Sequence, residues 1–268
     1  MSTPLVKITD VTLSIGDVSP VNNLSLEIGH GELLSLVGAS GSGKTLTALS
    51  IIGLLPPAVE VKSGSIHYKN DNLLKLDEKR LRRIRGSEIA MIFQEPMTSL
   101  NPVMTVGTQI GEAIRLHMNC GKKEALERAE AVLREVQVPE PAMRLRSYPH
   151  QLSGGLRQRV MIAIALSCNP SLLIADEPTT ALDVTVQAGV MELLQSIKRD
   201  RNLSILLITH DIALAAEVSD RIAVIENGAI IETAPPQKLI ETPQQDYSKT
   251  LIAKARARDG WRANDVEI

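Results

Sequence analysis

The sequence predicts an α/β domain built around a largely parallel, buried sheet, and two observations carry that expectation. Short apolar runs rich in β-branched residues, Leu33 to Val37, Leu172 to Ala175 and Ile205 to Thr209, alternate with longer stretches of helical periodicity. The first run is followed by a glycine-rich turn and then by an apolar helical stretch from Leu46 to Leu55, the strand–loop–helix order of a ligand-holding loop. The 268 residues suffice for a sizeable core, and 44% hydrophobic with 22% charged residues is the make-up of an ordinary globular chain.

The same figures bound the function. A formal net charge of −2 offers no electrostatic reason for nucleic acid to be a partner. No stretch reaches the roughly 18 apolar residues of a spanning helix, and the opening MSTPLVKITDVTL lacks the apolar core of a secretory signal, so a cytoplasmic chain is expected. Cys120 and Cys168 stand far apart without CxxC or histidine spacing and are read as plain thiols.

Along the chain, Gly38-Ala39-Ser40-Gly41-Ser42-Gly43-Lys44-Thr45 fits the phosphate-loop pattern GxxxxGK[ST] in its required context. Glycines let the backbone curl so that its N–H groups face phosphate oxygens, and the helix that follows adds a partial positive charge. Lys44 supplies a full charge, and the Thr45 hydroxyl is placed for Mg²⁺. Residues 122 to 138 set Leu126, Ala129, Leu133 and Val136 at helical spacing, with Glu124/Arg128 and Glu130/Arg134 as i,i+4 pairs. Arg80, Arg82, Arg83 and Arg85 are read as a solvated face.

Further on, Leu152-Ser153-Gly154-Gly155-Leu156-Arg157-Gln158 puts a serine and two glycines before an apolar helix. It fits a second anion cradle, and equally an ordinary helix N-cap. The run from Leu172 to Ala175 ends in Asp176 and Glu177, and ligands of open α/β sheets bind at such carboxyl ends. Asp176 suits Mg²⁺, and Glu177 suits the general base that polarises water in phosphoryl transfer. Taken alone, the pair also fits solvated loop charges. Ile222 to Ile225 and Ala229 to Ile231 flank Asn227-Gly228, a two-residue hairpin signal.

Leu152 to Gln158, ahead of Asp176 and Glu177, resembles the signature motif of ATP-binding-cassette (ABC) ATPases. Gln94, after the run Ile89 to Phe93, is similar to that family's Q-loop glutamine, whose side chain contacts Mg²⁺ and water. Ala181-Leu182-Asp183 resembles its D-loop, and His210, after Ile205 to Thr209, its γ-phosphate-sensing switch histidine. The resemblance covers residues 5 to 250. It implies a P-loop NTPase fold with a RecA-like core, an antiparallel β subdomain and a helical subdomain inserted at about 95–150, with 251–268 left as a polar tail.

On this resemblance, ATP and Mg²⁺ are the cofactors. Glu177, His210, Lys44 and Gln94 form the catalytic set, and Thr45, Gln94 and Asp176 the metal set. Nucleotide contacts come from Gly38 to Thr45, from Ile15 at the adenine, and from Ser153, Gly154, Gly155, Gln158 and Asp183 across a head-to-tail dimer. Ile15 departs from the family, which stacks the base on an aromatic, and aromatics are only 2% of this chain.

The run Ile92-Phe93-Gln94-Glu95-Pro96-Met97-Thr98-Ser99-Leu100-Asn101-Pro102 resembles the importer branch for oligopeptides, dipeptides and nickel or its chelates. Thr242 to Leu251 is similar to that branch's C-terminal segment, with Gln245 and Asp246 where histidine and proline are usual. Many peptide-transporting relatives carry a longer, cysteine-bearing C-terminal extension, so its absence points toward nickel or metallophore uptake. The expected partners are two transmembrane permease subunits, a second ATPase subunit and, indirectly, a solute-binding protein, at the cytoplasmic face of the inner membrane. An exporter motor shares every catalytic residue, and a non-transport ABC ATPase shares the chemistry. Both stay open as alternatives.

Overall fold

The computed structural model describes residues 3–93, 99–179 and 183–259. The chain divides into two compact units, residues 1–81 with 204–268 and residues 82–203. The residues expected to form a helical insert, about 95–150, fall within the second unit.

In the first unit, β1 (Val6–Ile15), β2 (Val18–Ile28), β4 (Glu60–Tyr68) and β5 (Asp71–Asn72) form an antiparallel sheet in the order β2-β1-β4-β5. A second sheet sets β3 (Leu33–Val37) between β8 (Ser204–Thr209) and β9 (Arg221–Glu226), parallel to both, with β10 (Ala229–Ala234) antiparallel to β9. Every residue of β3 and β8 is buried, as uninterrupted apolar strands of a parallel sheet must be. The β9–β10 turn is the one expected at Asn227-Gly228: both residues have positive φ, +48° and +81°, the left-handed pair that a type I′ hairpin requires.

Helix α1 (Lys44–Ile51) starts inside the phosphate loop and is shorter than the periodicity suggests. It stops before Gly53, whose φ of +63° is the left-handed conformation common just past a helix end. The unit closes with α8 (Ile212–Val218), α9 (Pro236–Glu241) and α10 (Asp246–Asp259). Here the expectation of a polar tail at 251–268 is corrected for residues 251–259, and residues 260–268 lie outside the described residues. Helix α10 continues to Asp259, and Ile252 and Ala255 are buried with Ile212, Ala215 and Leu239 in one cluster. A one-sided helix needs an apolar residue only every third or fourth position, so its composition stays polar while one stripe is core.

In the second unit, β6 (Ile89–Ile92) and β7 (Leu172–Asp176) pair in parallel, residue Ile89 opposite Leu172. The helices are α3 (Val106–His117), α4 (Lys122–Glu135), α5 (Pro141–Arg144), α6 (Gly154–Leu166) and α7 (Val184–Arg201), with α2 (Glu78–Ile84) leading in. Helix α4 carries both expected ion pairs, Arg128 on Glu124 and Arg134 on Glu130, each at 2.8 Å. Its buried stripe is Ala125, Ala129, Val132 and Leu133. Arg201, at the end of α7, forks onto the Glu135 carboxylate and also donates to the Leu166 carbonyl at 3.0 Å. Both cysteines are free thiols, and burial pushes the Cys168 thiol pKa upward, away from the reactive thiolate.

Candidate active site

The phosphate loop lies between the buried β3 and α1. Its glycines are fixed by close approach rather than by flexibility alone. A β-carbon on Gly38 would overlap the Ile225 carbonyl oxygen, and one on Gly43, where φ is +99°, would overlap the Pro20 carbonyl oxygen. Gly41 is different: at φ +79° it has open space around it, so its need is purely conformational. The Gly228 N–H, at the β9–β10 turn, donates to the Ser42 carbonyl at 3.2 Å, while Asn22 N–H donates to the Gly228 carbonyl at 2.9 Å. A strand and a hairpin tip therefore brace the loop. Gly228 and Pro20 are supports that sequence patterns did not reveal, because neither belongs to the motif.

Lys44 is 6% exposed, and its Nζ donates to the carbonyls of Gly38 at 2.9 Å and Ala39 at 2.8 Å. The loop is thus curled around a buried cation, with the N-terminal end of α1 at its centre. A phosphate suits this arrangement, since Lys44 and the N-terminal end of α1 bring positive charge to the loop. Thr45 is exposed at the first turn of α1, and its hydroxyl is the kind of hard oxygen donor that Mg²⁺ takes. Ile15 ends β1 opposite Val18, and both are exposed, Ile15 by 43%. Two residues beyond Val18, Pro20 touches Gly43 and Gly228, so the hairpin carrying Ile15 is part of the loop's bracing. His210, the residue after β8, is exposed, and the next residue, Asp211, caps α8 through the N–H groups of Ala213 and Leu214. These residues share the first unit.

In the second unit, Asp176 ends β7 and is 3% exposed, while Glu177 follows half-buried. Glu177 takes φ +45°, a left-handed conformation unusual for a glutamate, and such strain is commonly held at functional positions. The buried Asp176 oxygens suit a divalent cation, which selects carboxylates. Ser153 caps α6, accepting from Leu156 N–H at 3.3 Å, so the ordinary N-cap reading holds, and Ser153 and Gly154 remain exposed at that helix start. Gly155 has a packing reason of its own: a β-carbon there would lie 2.8 Å from Cγ1 of Val186. Asp183 is exposed and caps α7 through Val186 N–H at 2.9 Å.

One expected contact needs correction. Gln158 is fully buried, with both side-chain amide atoms lacking a hydrogen-bond partner, so its side chain cannot meet a nucleotide at the surface of this chain. It lies on the inward face of α6, whose helical period turns it away from the exposed Ser153 and Gly154. Gln94, with the residues following it to 98, and Ala181 and Leu182 of the D-loop lie outside the described residues.

Comparison with known proteins agrees with this chemistry. A sequence model of the ABC transporter family matches residues 21–180. The chain is 47% identical over 245 residues to the dipeptide transport ATP-binding protein DppD of Bacillus subtilis, covering 91% of this chain and 73% of that one. It is 46% identical over 242 residues to the glutathione import ATP-binding protein GsiA of Escherichia coli K12, covering 88% of this chain but only 39% of GsiA. Among solved structures, the ATP-binding cassette MJ0796, in a dimeric post-hydrolysis state bound to ADP and Pi, superposes with a TM-score of 0.76 at 30% identity, covering 86% of this chain and 98% of that one. The protein cbiO1 of Clostridium perfringens, part of the ABC transporter complex cbiONQ, reaches 0.79 over 100% of both chains, and at 24% identity that likeness concerns the fold alone.

Proposed function

The chain belongs to the ABC transporter family as an ATP-binding, ATP-hydrolysing subunit, and from that premise we propose that it energises the import of short peptides. The observation that carries the proposal is the 47% identity to a dipeptide transport ATP-binding protein across 91% of this chain. The second relative is named for glutathione import, and we therefore place the cargo with short peptides ahead of nickel chelates.

In this reading Lys44 and the N–H groups of Gly41 to Thr45 hold the β- and γ-phosphates, and Ile15 packs on the base. Thr45, Gln94 and Asp176 are the residues that would hold Mg²⁺, whose charge would offset that developing on the phosphates. Glu177 accepts a proton from the attacking water, and His210 contacts the γ-phosphate. Ser153, Gly154 and Gly155 present the helix start of α6 to a nucleotide held by a second ATPase subunit, and Asp183 lines the same dimer contact. The dimeric state of the MJ0796 cassette supports that arrangement. Dimer closure and release then drive paired permease subunits between inward- and outward-facing states, with a solute-binding protein delivering cargo. Among the described residues no helix is long and apolar enough to cross a membrane. In this reading the subunit works through its permease partners, peripherally at the cytoplasmic face of the inner membrane.

The test is recovery of the tagged full chain from detergent-solubilised native membranes. Two polytopic subunits, a second ATPase and stimulation of ATP turnover by short peptides with their binding protein are expected. Co-purification with a single exporter permease, or only with ribosomal or DNA-repair proteins, overturns the importer assignment.

A further inference from the structure

The C-terminal helix reaches into the phosphate loop. Ala39 N–H donates to the Tyr247 hydroxyl at 2.9 Å, across 208 positions of sequence. The Ala39 carbonyl accepts from Lys44 Nζ at 2.8 Å, so this residue is held from both sides, by the cation at the loop's centre and by a side chain of α10. The Tyr247 ring packs, partly buried, on the cluster that contains Val37, Ile212, Ala215, Ile252 and Ala255. Val37 is the last residue before the loop, and Ile212 opens the helix that follows His210. The same helix α10 is thus fastened both to the strand that enters the loop and to the helix that follows His210.

Its start is anchored as well. The Glu232 carboxylate, on β10, accepts from Gln244 N–H at 2.8 Å and from Gln245 N–H at 3.1 Å. The ring of residue 247 would suffice for the packing, but the hydroxyl goes to the loop. A phosphate loop binds by backbone N–H direction, so a partner that fixes one of its amides fixes the curve presented to the ligand.

We propose that Tyr247 is a positioning residue of the ATP site, through which the C-terminal helix sets the shape of the phosphate loop and hence its affinity for nucleotide. The hydroxyl itself does no chemistry. It holds Ala39 so that the loop is ready before the nucleotide arrives, and preorganisation of this kind appears in affinity. The proposal goes beyond the transport reading and rests only on Gly38 to Thr45 being the nucleotide site.

The experiment is titration of the full-length chain with a fluorescent ATP analogue in Mg²⁺, comparing wild type, Tyr247→Phe and Lys44→Ala. One net hydrogen bond predicts a rise in Kd of about three- to tenfold for Tyr247→Phe, with the melting temperature kept because the ring remains. Amide exchange followed by NMR gives a reading that packing alone would not move. The Ala39 amide exchanges slowly in the wild type and faster in Tyr247→Phe. An unprotected Ala39 amide in the wild type, or an unchanged Kd in Tyr247→Phe, overturns the proposal. If Lys44→Ala loses binding while Tyr247→Phe keeps it, only the role of Tyr247 fails. If Lys44→Ala keeps binding, the loop is not the nucleotide site and both ideas fall together.

Discussion

Gly155, in the first turn of α6, lies so close to Val186 of α7 that an added β-carbon would sit 2.8 Å from Cγ1 of that valine. A glycine that sequence alone reads as a phosphate contact is therefore also a packing requirement. Gly155→Ala gains up to about 1 kcal/mol of helix propensity but costs about 1–3 kcal/mol of overpacking, so net destabilisation is expected. Val186→Ala removes the offending methyl groups. In a double-mutant cycle measured by denaturant unfolding, Gly155→Ala should become neutral or stabilising on the Val186→Ala background. Equal effects on both backgrounds would show that the contact does not limit position 155.

Glu177 is expected to act as the base while its strained backbone only aims it. Glu177→Gln retains size and hydrogen-bonding shape but cannot take the proton. ATP hydrolysis should fall by at least about 100-fold, while ATP is still bound and a closed dimer accumulates. Lys44→Ala acts earlier, weakening binding itself. Single-turnover hydrolysis and size-exclusion chromatography with ATP separate the two. Normal turnover of Glu177→Gln in the assembled transporter would remove Glu177 from the mechanism.

Ile15 is 43% exposed at the end of β1, and in the proposed reading it packs on the base. An aliphatic side chain packs on adenine but offers no π-face. Ile15→Tyr should tighten ATP binding by about two- to tenfold, from about 0.5–1.5 kcal/mol of aromatic contact. It should also sharpen the preference for ATP over GTP. A Kd left unchanged in both nucleotides would mean that the base binds elsewhere.

Local signals were legible and distant ones were not. Gly38 to Thr45, Asp176-Glu177 and Asn227-Gly228 announce themselves because a strand, a turn and a charge adjoin in sequence, and each stands where the pattern put it. The bracing of the loop by Pro20, Gly228 and Tyr247 has no local signature, since each contact joins residues far apart in the chain. Gln158 misled for the reverse reason: it closes the motif, yet the helical period turns it inward. The segment after residue 250 reads as a tail because Ala, Arg and Lys interleave there without a strong apolar stripe, yet Ile252 and Ala255 are buried in the core.

The anchoring of α10 supplies a pH test. Burial works to raise the Glu232 pKa, but the N–H groups of Gln244 and Gln245 and the charge of Lys249 outweigh it, so the carboxyl ends below the ordinary 4.5 of a glutamate. A carboxyl depressed in the folded state contributes stability that is complete above its unfolded value and is lost as pH falls through the folded one. Glu232 therefore stabilises the fold fully above about pH 4.5, and the contribution disappears below it. Thermal melts of wild type and Glu232→Gln should differ by a constant margin from pH 7 down to pH 5 or so, and converge as the medium becomes more acid. Amide exchange in residues 244–255 should rise in the variant at neutral pH, since its amide side chain is a weaker acceptor for Gln244 and Gln245. A margin that does not change with pH would mean that the carboxylate's charge plays no part in holding α10.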